Sequence, residues 1–165
     1  MAEPSQSIIA TRGAQMFPRL TDEEMARLAR FGQPVKYPAK AMIARPGEVG
    51  PGLLLVMSGS AEVLQQGQQP AHIVTHERGN FMGELAQLSG RPSLVEVRAL
   101  EDVEAIAVAP DRLRAMLIAE AELGERIMRA LILRRVGLIE AGAGPIIVGH
   151  ESDADVLRLV NFLRR

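Results

Sequence analysis

The residues best suited to chemistry in this chain lie between Phe81 and Ala99, in the run Phe-Met-Gly-Glu-Leu-Ala-Gln-Leu-Ser-Gly-Arg-Pro-Ser-Leu-Val-Glu-Val-Arg-Ala. Gly83 leads into a short helical turn at Gly83-Glu84-Leu85-Ala86, a Gly-Arg-Pro loop follows, and Val95, Val97 and Ala99 alternate as in a strand. Backbone N–H groups at the start of such a turn have no intrahelical partner and point outward together, which suits an anion. Gly83 has no side chain to keep a ligand away from the main chain. The Glu84 carboxylate suits a sugar hydroxyl, although a first-turn glutamate also favours its own helix terminus. This is chemistry of recognition rather than turnover.

Other chemistries find little support. The chain has no cysteine, hence no disulfide framework, thiolate metal site or cysteine nucleophile, which fits a reducing cytoplasm. His72, His76 and His150 lack a companion at ligand spacing, so no metal site is expected, and His72 and His76 read as surface residues. Asp22-Glu23-Glu24 is a charged first helical turn, and no Gly-x-Ser-x-Gly elbow or P-loop occurs, so no catalytic residue is assigned. Met42, Met57 and Met82 read as core fillers. A net charge of −1 argues against contacts to a nucleic-acid backbone, and 3% aromatic residues leave few platforms for bases. No apolar run reaches the roughly 18 residues needed to cross a membrane. The longest, Met128–Leu133, is interrupted by Arg129 and followed by Arg134 and Arg135. No leader peptide is expected either.

The elements that must position the 81–99 segment follow from periodicity. Residues 1–16 read as a loose, flexible arm. Thr21 and Glu24 form a capping-box signature for a helix at about 22–30. From Val35 to Val108, short apolar or alternating runs at 35–37, 41–44, 53–58, 61–64, 72–75, 95–99 and 103–108 read as strands. Turn signals separate them at 45–47, 58–60, 66–68 and 77–80. Many short strands at this spacing suggest a sandwich or barrel. Pro110 opens a helix with Leu113, Met116 and Leu117 on its apolar face.

A second helix runs over 121–140, and its apolar residues from Leu123 to Ile139 cover more than the single ~100° stripe that packing on one surface requires. The excess suggests a second buried face, against a partner chain or within the domain itself. Residues 141–145 read as a linker. Ile146–Gly149 then reads as a strand, and Ser152 caps a helix carrying Val156, Leu159, Val160 and Leu163. One strand and one helix cannot bury a core, so 142–165 reads as a linker and the start of a second α/β domain.

The 81–99 pattern closely resembles the phosphate-binding cassette of the cyclic nucleotide-binding domain of the catabolite-activator-like family. The Pro46-Gly47 turn and the Met57–Val63 segment match as well, so the resemblance spans roughly residues 17–140. It implies a mainly β fold with flanking helices: a double-stranded β-helix, or jelly-roll β-roll, with an N-terminal helix and a long C-terminal helix. It implies that Gly83, Glu84, Leu85, Ala86, Arg91, Ser93 and Leu94 line a ligand site. Glu84 would accept from a ribose 2′-hydroxyl, and the Leu85 and Ala86 N–H groups would face a phosphate. The ligand would be a cyclic nucleotide (cAMP or cGMP) or another small anion.

Ser93 and Leu94 stand where the family places its phosphate arginine and the residue after it. Arginine offers a charged, bidentate partner, whereas serine offers one neutral hydrogen bond. The difference between ~1.5–3 and ~0.5–1.5 kcal/mol weakens binding by about one or two orders of magnitude. Arg91 is either a substitute or a solvated loop residue.

Residues 79–95, 119–135 and 144–149 also resemble the N-terminal domain of bacterial thioredoxin reductase-like flavoproteins. That resemblance implies a non-catalytic sensory domain joined to a C-terminal FAD/NADPH-dependent disulfide reductase-like enzyme; the excess apolar arc of helix 121–140 separately suggests a homodimer through that helix. The alternative is the effector domain of a catabolite-activator-type regulator truncated before its DNA-binding unit. Residues 145–165 do not show a helix-turn-helix, and the absence of cysteine removes the iron–sulfur sensing of one branch of that family.

Overall fold

Thr21 caps the helix that follows it. Its hydroxyl accepts from the Glu24 N–H at 3.2 Å while the Glu24 carboxylate accepts from the Thr21 N–H at 2.8 Å, closing the capping box of a helix at Asp22–Ala29. The computed structural model describes residues 8–65, 70–83, 91–141 and 154–163. In chain order they form α1 (Ile8–Met16), α2 (Asp22–Ala29), β1 (Gln33–Tyr37), β2 (Met42–Ala44), β3 (Leu53–Ser58), β4 (Ala61–Gln65) and β5 (Ala71–His76). β6 (Phe81–Met82), β7 (Val95–Ala99), β8 (Val103–Val108), α3 (Pro110–Ala119), α4 (Ala121–Glu140) and α5 (Ala154–Leu163) follow. The turn at 66–68, the expected strand at 146–149 and the Ser152 cap lie outside the described residues.

The strands pair antiparallel in two four-stranded sheets, ordered β1-β8-β3-β6 and β2-β7-β4-β5. This is the expected jelly-roll arrangement. β3 reads Leu53-Leu54-Leu55-Val56 because it is buried on both faces. Leu54 and Val56 join Val63, Val97 and Val103 between the sheets, while Leu53 and Leu55 join the helices' core with Leu28, Leu113, Ile127 and Leu131. Alternation of side chains along the strand puts successive residues into different cores. Burying each of these leucines contributes roughly 1.5–3 kcal/mol. Gly59 (φ +79°) turns the chain between β3 and β4, and a Cβ there would sit 2.1 Å from the Asp102 carbonyl oxygen.

Two features depart from the sequence reading. Residues 8–16, expected within a loose arm, form α1, which is kinked at Arg12 and lies against α4. Two short helical pieces carry no continuous apolar stripe, and docking rather than local periodicity holds them. β6 was not foreseen, because two residues are too few to show a period.

α4 answers the question of its broad apolar arc in part. Leu123, Ile127, Ala130, Leu131 and Leu133 are buried against the roll, α1 and α3, while Ile132, Val136 and Ile139 stay exposed. The Arg126 guanidinium ties α4 to α2 through Glu24 at 2.7 Å. Burial pushes the Glu24 carboxyl up, but the Thr21 N–H and the Arg126 guanidinium pull harder and leave it below its ordinary value.

Candidate functional site

Where the mouth of the roll meets the end of α1 and the last turns of α4, the structure encloses a cavity of about 90 Å³. One water needs roughly 10–15 Å³ measured this way, so the space holds a small molecule rather than a single solvent. Among the described residues, Ile43, Leu54, Val63, Ile73, Val97 and Leu138 line it with aliphatic groups, and Gln65, His76, Ser93 and Arg134 are the polar side chains that line it.

The expected site residues divide into three groups. Gly83 and Ser93 line the cavity. Gly83 adopts φ +139°, a conformation glycine reaches without steric cost. Arg91 and Leu94 are not among the lining residues, and Arg91 is exposed. Glu84, Leu85 and Ala86 lie outside the described residues.

Ser93 is 5% exposed and already committed. Its Oγ donates to the Val95 carbonyl at 2.9 Å and accepts from the Val95 N–H at 3.3 Å. Its own backbone is also paired, donating to Glu48 O and accepting from the Gly47 N–H, both at 2.9 Å. Such local side-chain-to-backbone bonding closes a turn, and no hydroxyl donor remains for a ligand.

The cavity's dominant charge comes from a residue the sequence reading passed over. Arg134, on α4, is 6% exposed. Its Nε donates to Met16 O at 2.7 Å, and its Nη1 donates to both Phe81 O and Gly83 O at 2.9 Å. Its Cζ stands 4.5 Å from the Phe81 ring centroid and 5.1 Å from that of Phe17, within range of cation–π attraction. One side chain thereby joins α1, β6, Gly83 and α4. Burial pulls the Arg134 pKa down to about 9, so the group stays charged at neutral pH. Its Nη2 is buried without a hydrogen-bond partner, and no carboxylate pairs with the guanidinium among the described residues.

The signal was present in the sequence: Arg134 follows Leu123, Ile127, Ala130 and Leu131 on the same helical stripe, where an unpaired charge is costly.

His76 corrects a second expectation. It is 2% exposed rather than on the surface, whereas His72 is exposed and its Nε2 shares a hydrogen bond with Thr75 Oγ1 at 2.9 Å. The His76 ring leans on Phe17 at 5.8 Å between centroids, and its Nδ1 has no partner. Burial and then the Arg134 charge push its pKa down to about 3, so it is neutral at physiological pH. As the last residue of β5 it sits at a strand end, where alternation is a poor guide to burial.

Among the described residues no group of His, Asp or Glu is arranged to hold a metal ion, and no helix is long and apolar enough to cross a membrane. Among the described residues, the site offers a largely aliphatic space bordered by Arg134 and His76.

Comparison with known proteins agrees with the fold. The family model described as "Cyclic nucleotide-binding domain" matches residues 34–120. A cyclic nucleotide-gated potassium channel of Rhizobium etli is 30% identical over 122 residues, covering 74% of this chain and 33% of the channel. The cAMP-dependent protein kinase regulatory subunit of Emericella nidulans is 31% identical over 94 residues, covering 57% of this chain and 23% of the subunit. The chain thus spans a third or less of the length of these two relatives. Among solved structures, the Thermus thermophilus catabolite activator protein superposes with a TM-score of 0.63 at 22% identity, covering 90% of this chain and 63% of that one.

Proposed function

We propose, from the premise that this chain belongs to the cyclic nucleotide-binding domain family, that it is a regulatory, non-catalytic domain with weakened or altered cyclic nucleotide binding. The observation that carries the reading is the state of Ser93. It occupies the position of the phosphate arginine, it lines the cavity, and its hydroxyl is spent on Val95. Arg91, the nearest substitute in sequence, is exposed and outside the cavity lining. Glu84 and the Leu85 and Ala86 N–H groups carry the ribose and phosphate contacts in this reading, without the charged partner that strengthens them.

Calorimetry with cAMP and cGMP tests it. The protein should bind either nucleotide no tighter than about the millimolar range, and Ser93→Arg should gain roughly tenfold or more. Micromolar binding by the unsubstituted protein would overturn the reading.

A ligand acts on such a domain only by preferring one arrangement of α4 and the segment beyond it. We assign the domain to the N-terminus of a thioredoxin reductase-like flavoenzyme, on the strength of the matching runs at 79–95, 119–135 and 144–149. The superposition on the Thermus catabolite activator protein is compatible with the alternative, a transcription regulator's effector domain. The coding sequence that follows decides between them: a Gly-x-Gly-x-x-Gly with a Cys-x-x-Cys marks the flavoenzyme, a basic helix-turn-helix the regulator.

The second copy expected from the long helix is supported by the exposed Ile132, Val136 and Ile139, spaced four and three residues apart along one side of α4. That spacing suits helix-to-helix pairing. The reading places the whole in the cytoplasm, in keeping with the lack of cysteine.

A further inference from the structure

The elements that Arg134 joins differ in how well they stand alone. α4 is a twenty-residue helix and β6 is paired with β3. The other two attachments are weak by themselves. α1 is short and kinked at Arg12, and a helix of that length is marginal without docking. Gly83, at φ +139°, has no side chain to fix the direction in which the chain leaves β6. Arg134 reaches both. Its Nε donates to Met16 O at 2.7 Å, at the end of α1, and its Nη1 donates at 2.9 Å to Gly83 O while also holding Phe81 O.

A buried guanidinium is a costly way to fill space, since apolar side chains of similar volume often pack as well or better. What arginine adds is a rigid plane whose donors stand at fixed angles, so displacing one partner tilts the plane for the others. The Phe17 and Phe81 rings, 5.1 and 4.5 Å from its Cζ, narrow the positions that plane can take. The stretch after α1 is anchored separately, by the Leu20 N–H on Gly79 O at 2.8 Å. Release of α1 therefore leaves the start of α2 attached to the roll.

We propose that Arg134 is a positioning residue that makes the docking of α1 and the seating of Gly83 a single event. Undocking α1 removes one fixed point of the guanidinium and loosens Gly83; loosening Gly83 weakens the hold on α1 by the same free energy, because such coupling is reciprocal. Gly83 opens the segment that carries the ligand contacts in the reading proposed above. On that reading, α1 is a second place, besides α4, at which ligand binding is felt. The coupling itself requires no nucleotide.

Hydrogen exchange in nucleotide-free protein tests it, read over residues 8–16 and 80–83, with 103–108 in β8 as the reference because that strand has neighbours on both sides. Arg134→Met should speed exchange at least about tenfold over both 8–16 and 80–83 and leave 103–108 unchanged. Met16→Ala takes away a buried side chain but leaves the carbonyl that Arg134 holds. It should speed 80–83 by roughly threefold or more in the parent protein, and by less than about 1.5-fold when Arg134→Met is already present. That non-additivity separates coupling from a merely structural part, in which the two substitutions act independently. Arg134→Lys, whose single ammonium cannot donate from two positions, replaces Arg134→Met if the latter does not fold. Faster exchange at only one of the two segments, loss of protection in β8 in step with them, or an undiminished effect of Met16→Ala without the arginine would each overturn the proposal. Titration with cAMP is a separate experiment: it decides the weakened-nucleotide reading and leaves an exchange pattern recorded without nucleotide untouched.

Discussion

Acidification should weaken this protein through His76, and the size of the effect follows from its burial. An unfolded histidine takes a proton near its ordinary pKa of 6.5, whereas His76 in the folded chain holds off until about 3. Between those values the unfolded state binds more protons than the folded one, so stability falls as pH falls. The loss begins near 6.5, is complete near 3, and amounts to about 1.4 kcal/mol per pH unit well inside the window. From pH 7 to pH 5 it reaches about 2 kcal/mol. Glu24, held below the ordinary carboxylate value, adds its own loss only at lower pH, once acid protonates it in the folded state.

Urea unfolding followed by far-ultraviolet circular dichroism suits a chain without tryptophan. It should be run at pH 7, 6 and 5 on the protein and on His76→Leu. The variant removes the titrating group while keeping an apolar ring contact's worth of volume, so its stability should fall by about 2 kcal/mol less over that range. The difference in slope is the readout, whatever the variant's absolute stability. Parallel slopes, within about 0.5 kcal/mol, would mean that His76 titrates normally in the folded protein and that its burial beside Arg134 is misjudged.

Three further outcomes are expected. Gly59→Ala forces a Cβ to within 2.1 Å of the Asp102 carbonyl at a φ of +79°; it should cost at least about 2 kcal/mol and lower Tm by roughly 5 °C or more, and an unchanged melting curve would contradict the close approach. Ile132→Glu with Val136→Glu should convert a dimer to a monomer in sedimentation at on the order of tens of micromolar, with little loss of helicity; a monomer before substitution would remove the pairing of α4. Ser93→Arg should raise affinity for cAMP roughly tenfold in calorimetry, and no gain in a folded variant would mean that the missing charge is not what limits binding.

Most of the scaffold is visible in local pattern. The Thr21–Glu24 box, the alternating strands and the glycine turns depend on neighbours a few residues apart, and each forms close to where the pattern places it. α1 escaped because its stability comes from α4, more than a hundred residues away, not from its own periodicity. The sequence also marks Ser93 by its place in the resembling 81–99 run. That its hydroxyl is consumed by Val95 is not legible there, because a side chain's partner depends on the turn it finds itself in.

The sequence alone determined most of the strands, α2, α3, α4 and the serine at position 93, because these rest on residue type and short-range spacing, while the family resemblance selected a roll among sandwiches and barrels. Only the tertiary structure decided which distant side chains line the cavity. Arg134 and His76 are 58 residues apart in the chain and read as a helix charge and a surface ring, yet folding brings both to Phe17 and strips them of water. Burial, which no local pattern encodes for a polar residue, sets one charged and one neutral side chain among the residues that line the cavity.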